Sequence, residues 1–420
     1  MHKFLLLCSI LLCLTGCMDF HSSPISLVTL PEKSEQQEEL SEIVKQALPE
    51  RTVPILPQRT EQDKITFLYS GKERIHAAVF FQNENEYGNI SMRLFSYMDN
   101  HWSKTGELSL NGNDVHMIQT EDLNRDGVDE LMVTTESFDE YQKNLFVISF
   151  SPENKWSLME VGKYHQFIAG TISEKAPLLY TLHFDRNVSA KLSAYKMTEK
   201  MSLELVSEIP LDEFVNGYEV LRLGKINEVR DAIFLDASQG ANSAQTQIVT
   251  WNKNKLEKAT DEVDFPLYKP RFVYSEDINE DGIIEIGSLY EPSGWEDVPL
   301  AEMRWIHAYY QLTSNKSFLL VHERYVDFEN GFYINFPDEW RQKTTFSRND
   351  ISDALTIINT KSQEELLRIR WLPADAAPLN RSKWLPILKT PTMIYYIPNE
   401  NKFMQYKHII HLVSKLKGER

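Results

Sequence analysis

The sequence predicts a mainly β protein: a five-bladed β-propeller over residues 64–327, closed by a composite blade, then a small α+β domain over 328–420. Three observations carry this reading. Short β-branched and aromatic runs alternate with clusters of Asn, Gly, Asp and Lys, and no convincing amphipathic helix lies between them. The runs recur as a group about every 50 residues, the length of one four-stranded blade. Near residue 328 that texture ends. The 420 residues are 42% hydrophobic and 25% charged, which are globular values.

The first element is a leader. Met1-His2-Lys3 gives a short positive start, Phe4 to Leu14 is almost wholly apolar, and Leu14-Thr15-Gly16-Cys17 follows. The apolar stretch is too short for a membrane span and reads as a signal peptide over 1–16. All three cysteines, Cys8, Cys13 and Cys17, lie here. The rest of the chain therefore has no disulfide, zinc-thiolate site or Cys nucleophile. The Leu-Thr-Gly-Cys ending resembles the bacterial lipobox. That resemblance implies cleavage before Cys17 and lipidation of its thiol, with acyl chains as the membrane anchor.

Residues 17–63 read as a tether rich in Ser, Glu, Gln and Pro. Leu40, Ile43, Val44 and Ala47 fall at helical spacing and allow one short helix, docked or free.

The repeat unit has two parts. One is a loop-type hairpin, seen near 68–79, 122–131, 170–179, 223–234 and 277–286. The other is a Trp/Tyr-type hairpin, such as Phe95-Ser-Tyr97…Trp102 or Ile248-Val-Thr-Trp251…Leu256. The array begins with a loop-type hairpin and ends with a Trp/Tyr-type one near 303–326. Joining these two halves would give a composite blade and leave no open edge. Five blades result, or six if the tether contributes strands. In 328–420, strands are expected at 331–336, 354–359, 366–371 and 392–397. A closing helix is expected over Asn401 to Lys417.

Two loops carry chemistry. Asp122-Leu-Asn124-Arg-Asp126-Gly127-Val128-Asp-Glu130 returns 155 residues later as Asp277-Ile-Asn279-Glu-Asp281-Gly282-Ile283-Ile-Glu285. This pattern is an oxygen cage for a hard cation. Side chains at positions 1, 3 and 5 converge if the backbone coils tightly, so Gly follows at 6. Position 7 then offers a carbonyl (Val128, Ile283) and position 9 a carboxylate. Position 12 is Val133 or Ser288, so neither loop is an EF-hand. Within a β array the arrangement resembles the FG-GAP/VCBS repeats of integrin-like propellers. The resemblance implies two structural Ca²⁺ sites that buttress the loops. The eroded fourth loop has Lys225 at position 1 and is expected to be metal-free. Without metal, such loops stand on Asx turns alone.

The remaining signals are mostly negative. No His-Glu-x-x-His, Gly-x-Ser-x-Gly or P-loop motif occurs. Ser193-Ala-Tyr-Lys196 lacks its partner motifs. His76, His116, His165, His183 and His307 are scattered, without an evident carboxylate partner, and His408 and His411 read as helix residues. Exposed loops are expected at 236–243 and 291–297. Lys and Arg number 44 against 61 Asp and Glu, net −17. That balance argues against nucleic acid, and against an anionic membrane surface, as a partner.

The expectation is an extracytoplasmic lipoprotein on the cell surface or periplasmic face of a bacterial membrane. It would be a non-catalytic binding or scaffold propeller whose partner is an envelope protein or glycan. The alternatives are an envelope hydrolase or lyase acting on glycan, and an assembly factor for a membrane protein.

Overall fold

A computed structural model describes residues 35–49, 51–58, 65–70, 73–83, 88–137, 142–151, 155–172, 176–259, 267–315 and 317–415. Residues 1–34, on which the expected leader, Cys17 and the first part of the expected tether fall, lie outside them.

The protein is mainly β, in six antiparallel sheets. Helix α1 (Glu35–Ala47) precedes them. Sheet 1 holds β1 (Thr52–Pro54), β2 (Thr66–Ser70), β3 (Glu73–Asn83), β4 (Asn89–Met98) and β5 (His101–Asn111), with β1 and β2 both paired to β3. Sheet 2 runs through β6 (Asp114–Glu121), β7 (Glu130–Glu136), β8 (Lys143–Ser151) and β9 (Lys155–Tyr164). Sheet 3 runs through β10 (Gln166–Gly170), β11 (Leu178–Asp185), β12 (Ser189–Met197) and β13 (Leu203–Pro210). Sheet 4 runs through β14 (Gly217–Asn227), β15 (Arg230–Gln239), β16 (Ser243–Asn252) and β17 (Lys255–Lys258), with β18 (Tyr268–Lys269) added beside β16.

Sheet 5 holds β19 (Ile286–Tyr290), β20 (Ile306–Leu312), β21 (Phe318–Asp327) and β22 (Phe332–Asn335). Sheet 6 holds β23 (Thr344–Phe346), β24 (Ala354–Asn359), β25 (Glu365–Pro373), β26 (Trp384–Lys389) and β27 (Met393–Pro398). Its order is β23-β24-β25-β27-β26, so β26 is an edge. The chain ends by returning β28 (Ile410–Leu412) to sheet 5 beside β22. Sheet 5 therefore draws strands from both sides of residue 328.

The closing helix expected over Asn401 to Lys417 does not form among the described residues, which end at 415. A four-residue helix, α2 (Asn401–Met404), and short 3-10 turns flank β28 instead. Ile410 and Leu412 pair with Ile334 and Phe332, so sheet pairing overrides the weak helical spacing.

The sheets stack in chain order. β3 shows how. Ala78 and Phe80 face sheet 2, in a core with Ile118, Leu131 and Phe146. Ala77 and Val79 face the other way, onto Leu40 and Val44 of α1. Both faces are dry, so the strand reads as a continuous apolar run. Further cores join sheets 2 and 3, sheets 3 and 4, and sheets 4 and 5. A large aromatic core joins sheet 5 to sheet 6.

Strand pairing corrects the expected closure. The first loop-type hairpin, β2–β3, pairs with β4, the Trp/Tyr-type strand that follows it. The last Trp/Tyr-type hairpin, β20–β21, pairs with β19 and β22. Each loop-type hairpin thus joins the next hairpin in the chain, and no composite sheet forms among the described residues. α1 covers the outer face of sheet 1, and sheet 6 covers the outer face of sheet 5.

Candidate functional site: two acidic loops between sheets

The two acidic loops fold alike and share the same set of bonds within positions 1 to 7. In the first, which links β6 to β7, the Asp122 carboxylate accepts the amides of Asp126 and Gly127, each at 3.1 Å. Asn124 Oδ1 accepts the Asp126 amide at 2.8 Å, and Asp126 Oδ1 accepts the Val128 amide at 2.9 Å. In the second, Asp277 accepts the amides of Asp281 (3.0 Å) and Gly282 (2.9 Å). Asn279 accepts from Asp281 at 3.1 Å, and Asp281 accepts from Ile283 at 2.8 Å. The Asn side chain donates to the position-5 carboxylate at 3.0 Å in both. Gly127 (φ 91°) and Gly282 (φ 85°) turn the chain through the left-handed region, where a side chain would be strained.

Position 9 is buried. Glu130 is 1% exposed and Glu285 0%. Glu130 Oε2 accepts the Leu123 amide at 2.9 Å, and Glu285 Oε2 accepts the Ile278 amide at 2.9 Å. Burial pushes the Glu130 carboxyl up to about 8, with the charges of Asp126 and Asp122 adding to it. Burial likewise raises Glu285 to about 7. The loops differ in one donor. Asn124 Nδ2 reaches Glu130 at 3.0 Å. In the second loop Gln311, from β20, donates to Glu285 at 2.7 Å and to Asp281 at 2.8 Å. Nothing in the motif points to Gln311, which lies 26 residues beyond Glu285.

Each loop also docks on the sheet before it. The Asp129 amide donates to the Tyr69 carbonyl at 3.0 Å, and Val128 bridges Ser70. The Ile284 amide donates to the Lys225 carbonyl at 2.8 Å, and Ile283 bridges Lys225. Position 8 donates its amide to the preceding sheet in both loops, whereas the position-7 bridge is antiparallel at Val128 and parallel at Ile283. The loop at Lys225 itself is reduced to a tight turn between β14 and β15, where Asn227 pairs with Arg230.

Among the described residues no group of three His, Cys, Asp or Glu side chains is arranged to hold a metal ion. The acidic side chains are turned onto their own loop amides. The donor set is nonetheless all oxygen, and a carboxylate oxygen that accepts one amide keeps a lone pair for a cation. Hard cations are the ligands such a set fits.

Other sequence candidates resolve differently. His116 does have a carboxylate partner: its Nδ1 lies 2.8 Å from Glu136 Oε1. That pair sits beside a cavity of about 180 Å³ lined by His116, Thr134, Lys143, His165, Gln166 and Glu219. Buried Ser193 donates to Glu208 at 2.8 Å. His411 stacks on Tyr333 from β28 rather than from a helix. The loop expected to be exposed at 236–243 opens with fully buried Asp236, paired to fully buried Lys269 at 2.8 Å. The loop at 291–297 is pinned by Trp295, whose Nε1 donates to the Phe346 carbonyl at 3.0 Å.

No protein family and no curated protein matches the chain. Solved structures similar to it include Sqt1 of Saccharomyces cerevisiae, at 11% identity and TM-score 0.35, over 83% of this chain and 99% of that one. A hypothetical selenium-binding protein of Sulfolobus tokodaii aligns at 11% identity and TM-score 0.30, over 48% of this chain and 55% of that one. A protein from Lactobacillus plantarum aligns at 10% identity and TM-score 0.29, over 69% and 80%. At these scores the likenesses decide nothing about this chain.

Proposed function

We propose that this chain is a lipoprotein of the bacterial cell envelope, anchored through Cys17, and a non-catalytic binding or scaffold protein. Sheets 1 to 5 are read as five propeller-type blades, with Ca²⁺ at two structural loops. The observation that carries the loop reading is the repeated staple: two loops of one motif, with one hydrogen-bond scheme, each fastened to the preceding sheet through positions 7 and 8. A cation held by Asp122, Asn124, Asp126, the Val128 carbonyl and Glu130 would neutralise an acidic loop exactly where two sheets meet. Asp277, Asn279, Asp281, the Ile283 carbonyl and Glu285 would do the same in the second. The blade reading is supported by side chains of the first strands of sheets 2, 3 and 4, each of which reaches the backbone next along the chain: the first strand of the next sheet in two cases, and the segment before β19 in the third. Gln119 exchanges two hydrogen bonds with Ala169, Gln166 donates to Tyr218, and Arg222 donates to Ser275.

Titration calorimetry of the purified chain with Ca²⁺ tests the loops. Two sites of similar affinity support the reading, and no heat up to millimolar Ca²⁺ overturns it. Mass analysis of the N-terminal peptide from native membranes tests the anchor: an acylated Cys17 supports it and a free thiol overturns it.

A second reading, an envelope enzyme acting on glycan, draws on the inner-strand cavity and its His116–Glu136 pair. Turnover of envelope glycan that His116→Ala abolishes would favour it.

A further inference from the structure

Whole-chain charge hides an asymmetry. Residues 328–420 hold 14 Lys and Arg against 10 Asp and Glu, although the chain as a whole is strongly acidic. Within 374–414 the count is five basic residues, Arg381, Lys383, Lys389, Lys402 and Lys407, against Asp375 and Glu400. All five are exposed. None is ion-paired among the described residues, whereas Arg341, Arg348, Arg368 and Arg370 nearby all hold carboxylates.

The fold gathers them. Arg381 and Lys383 lie in the turn before β26, and Lys389 ends that strand, about 20 Å away. The Asn399 amide donates to the Lys383 carbonyl at 2.9 Å, which brings α2 and Lys402 to the Arg381 end. Between the cations lies a cavity of about 300 Å³, lined by Arg381 and Lys389 with Leu379, Ile387, Leu388 and Tyr396. The surface is therefore basic at its margins and apolar along its floor. It sits on a free sheet edge, yet Pro386 in mid-strand lacks the N–H that strand addition by a peptide would use.

We infer that this β26 edge docks on an anionic lipid surface, with headgroups at Arg381, Lys383 and Lys389 and the apolar floor against the acyl boundary. The inference rests on the membrane anchoring proposed above and adds its second contact. The acyl chains hold the chain at the membrane, and a basic patch on the folded part adds an electrostatic contact that fixes which face meets the lipid. The acidic remainder does not forbid this. Charges beyond roughly 8–10 Å are largely screened at physiological salt, so the local patch sets the interaction.

The test separates patch from anchor. The chain without residues 1–16 and carrying Cys17→Ser, which has no thiol to acylate and no apolar leader, is sedimented with vesicles of phosphatidylglycerol and phosphatidylcholine, or of phosphatidylcholine alone. Binding to the anionic vesicles is expected, weakening as salt rises. Arg381→Glu with Lys383→Glu and Lys389→Glu is expected to lower it about tenfold or more. The milder Arg381→Gln with Lys389→Gln, a smaller perturbation of the fold, should lower it in the same direction. Reversing Lys196, Lys200 and Lys255, exposed cations on sheets 3 and 4, should leave it unchanged. Three outcomes overturn the inference: no binding to anionic vesicles, equal binding to neutral ones, or equal loss with the control reversals. So does binding of soluble polyglutamate in place of vesicles, which would assign the edge to an acidic protein segment. An unacylated Cys17 in the native protein, with vesicle binding intact, would remove the anchor and leave the patch.

Discussion

The amide of Ile284 donates to the carbonyl of Lys225 at 2.8 Å, and this bond fastens the second acidic loop to the end of β14. Asp129 and Tyr69 make the same connection at the first loop. A cation that stiffens either loop therefore stiffens a joint between sheets.

Calcium should raise stability by that route. With dissociation constants of about 10⁻⁴–10⁻³ M, about 5 mM Ca²⁺ stabilises by about 1–2 kcal/mol per site. The expected result is a melting temperature a few degrees higher, returned to baseline by chelator. Asp126→Ala with Asp281→Ala should abolish the rise.

The same joint sets the space at Gly224. A Cβ there would press on Cγ1 of Ile284. Gly224→Ala should cost about 1–3 kcal/mol in urea unfolding, and Ile284→Ala in the same chain should cost less than the two changes summed. At Gly287 the added Cβ would meet the backbone carbonyl of Tyr274, so no side-chain truncation should rescue Gly287→Ala.

The buried pair in sheet 4 makes a different prediction. Asp236 and Lys269 are both 0% exposed, and Asp236 also accepts from Thr246 (2.6 Å) and from the Ser275 amide (2.7 Å). Burial pushes the Asp236 carboxyl up, but Lys269 and these hydrogen bonds outweigh it and hold the carboxyl below its usual range. Lys269→Met would leave that charge without compensation and should cost about 3–5 kcal/mol. Adding Asp236→Asn should recover a substantial part, because the amide still accepts from Ser275 without a charge.

Stability should also fall in acid through His76. It is 3% exposed, hydrogen-bonded to Ser96 at 2.8 Å, and packed 4.0 Å from Phe150 and 5.1 Å from Trp156. Burial lowers its pKa to about 4. The unfolded chain, near 6.5, then binds the proton more readily than the folded one. This contribution is complete above about pH 6.5 and declines towards about pH 4, by at most about 1.4 kcal/mol per unit. His76→Phe should flatten the difference in urea midpoint between pH 7 and pH 5.

What the sequence determined by itself was local. Alternating runs such as Leu131 to Thr135 became strands, and Leu40 and Val44 at i, i+4 became the buried face of a helix. The shape of both acidic loops also follows from sequence, because Asp122 reaches only the amides four and five residues on. Tertiary structure decided the rest. Which hairpins share a sheet depended on short connections, and this joined β2–β3 to β4 instead of to β21. Gln311 reaches Asp281 across 30 residues, Lys269 reaches Asp236 across 33, and β28 displaces an expected helix to pair with β22. These partners are chosen by which surfaces the packed sheets bring together, and burial makes each choice costly to leave unmade.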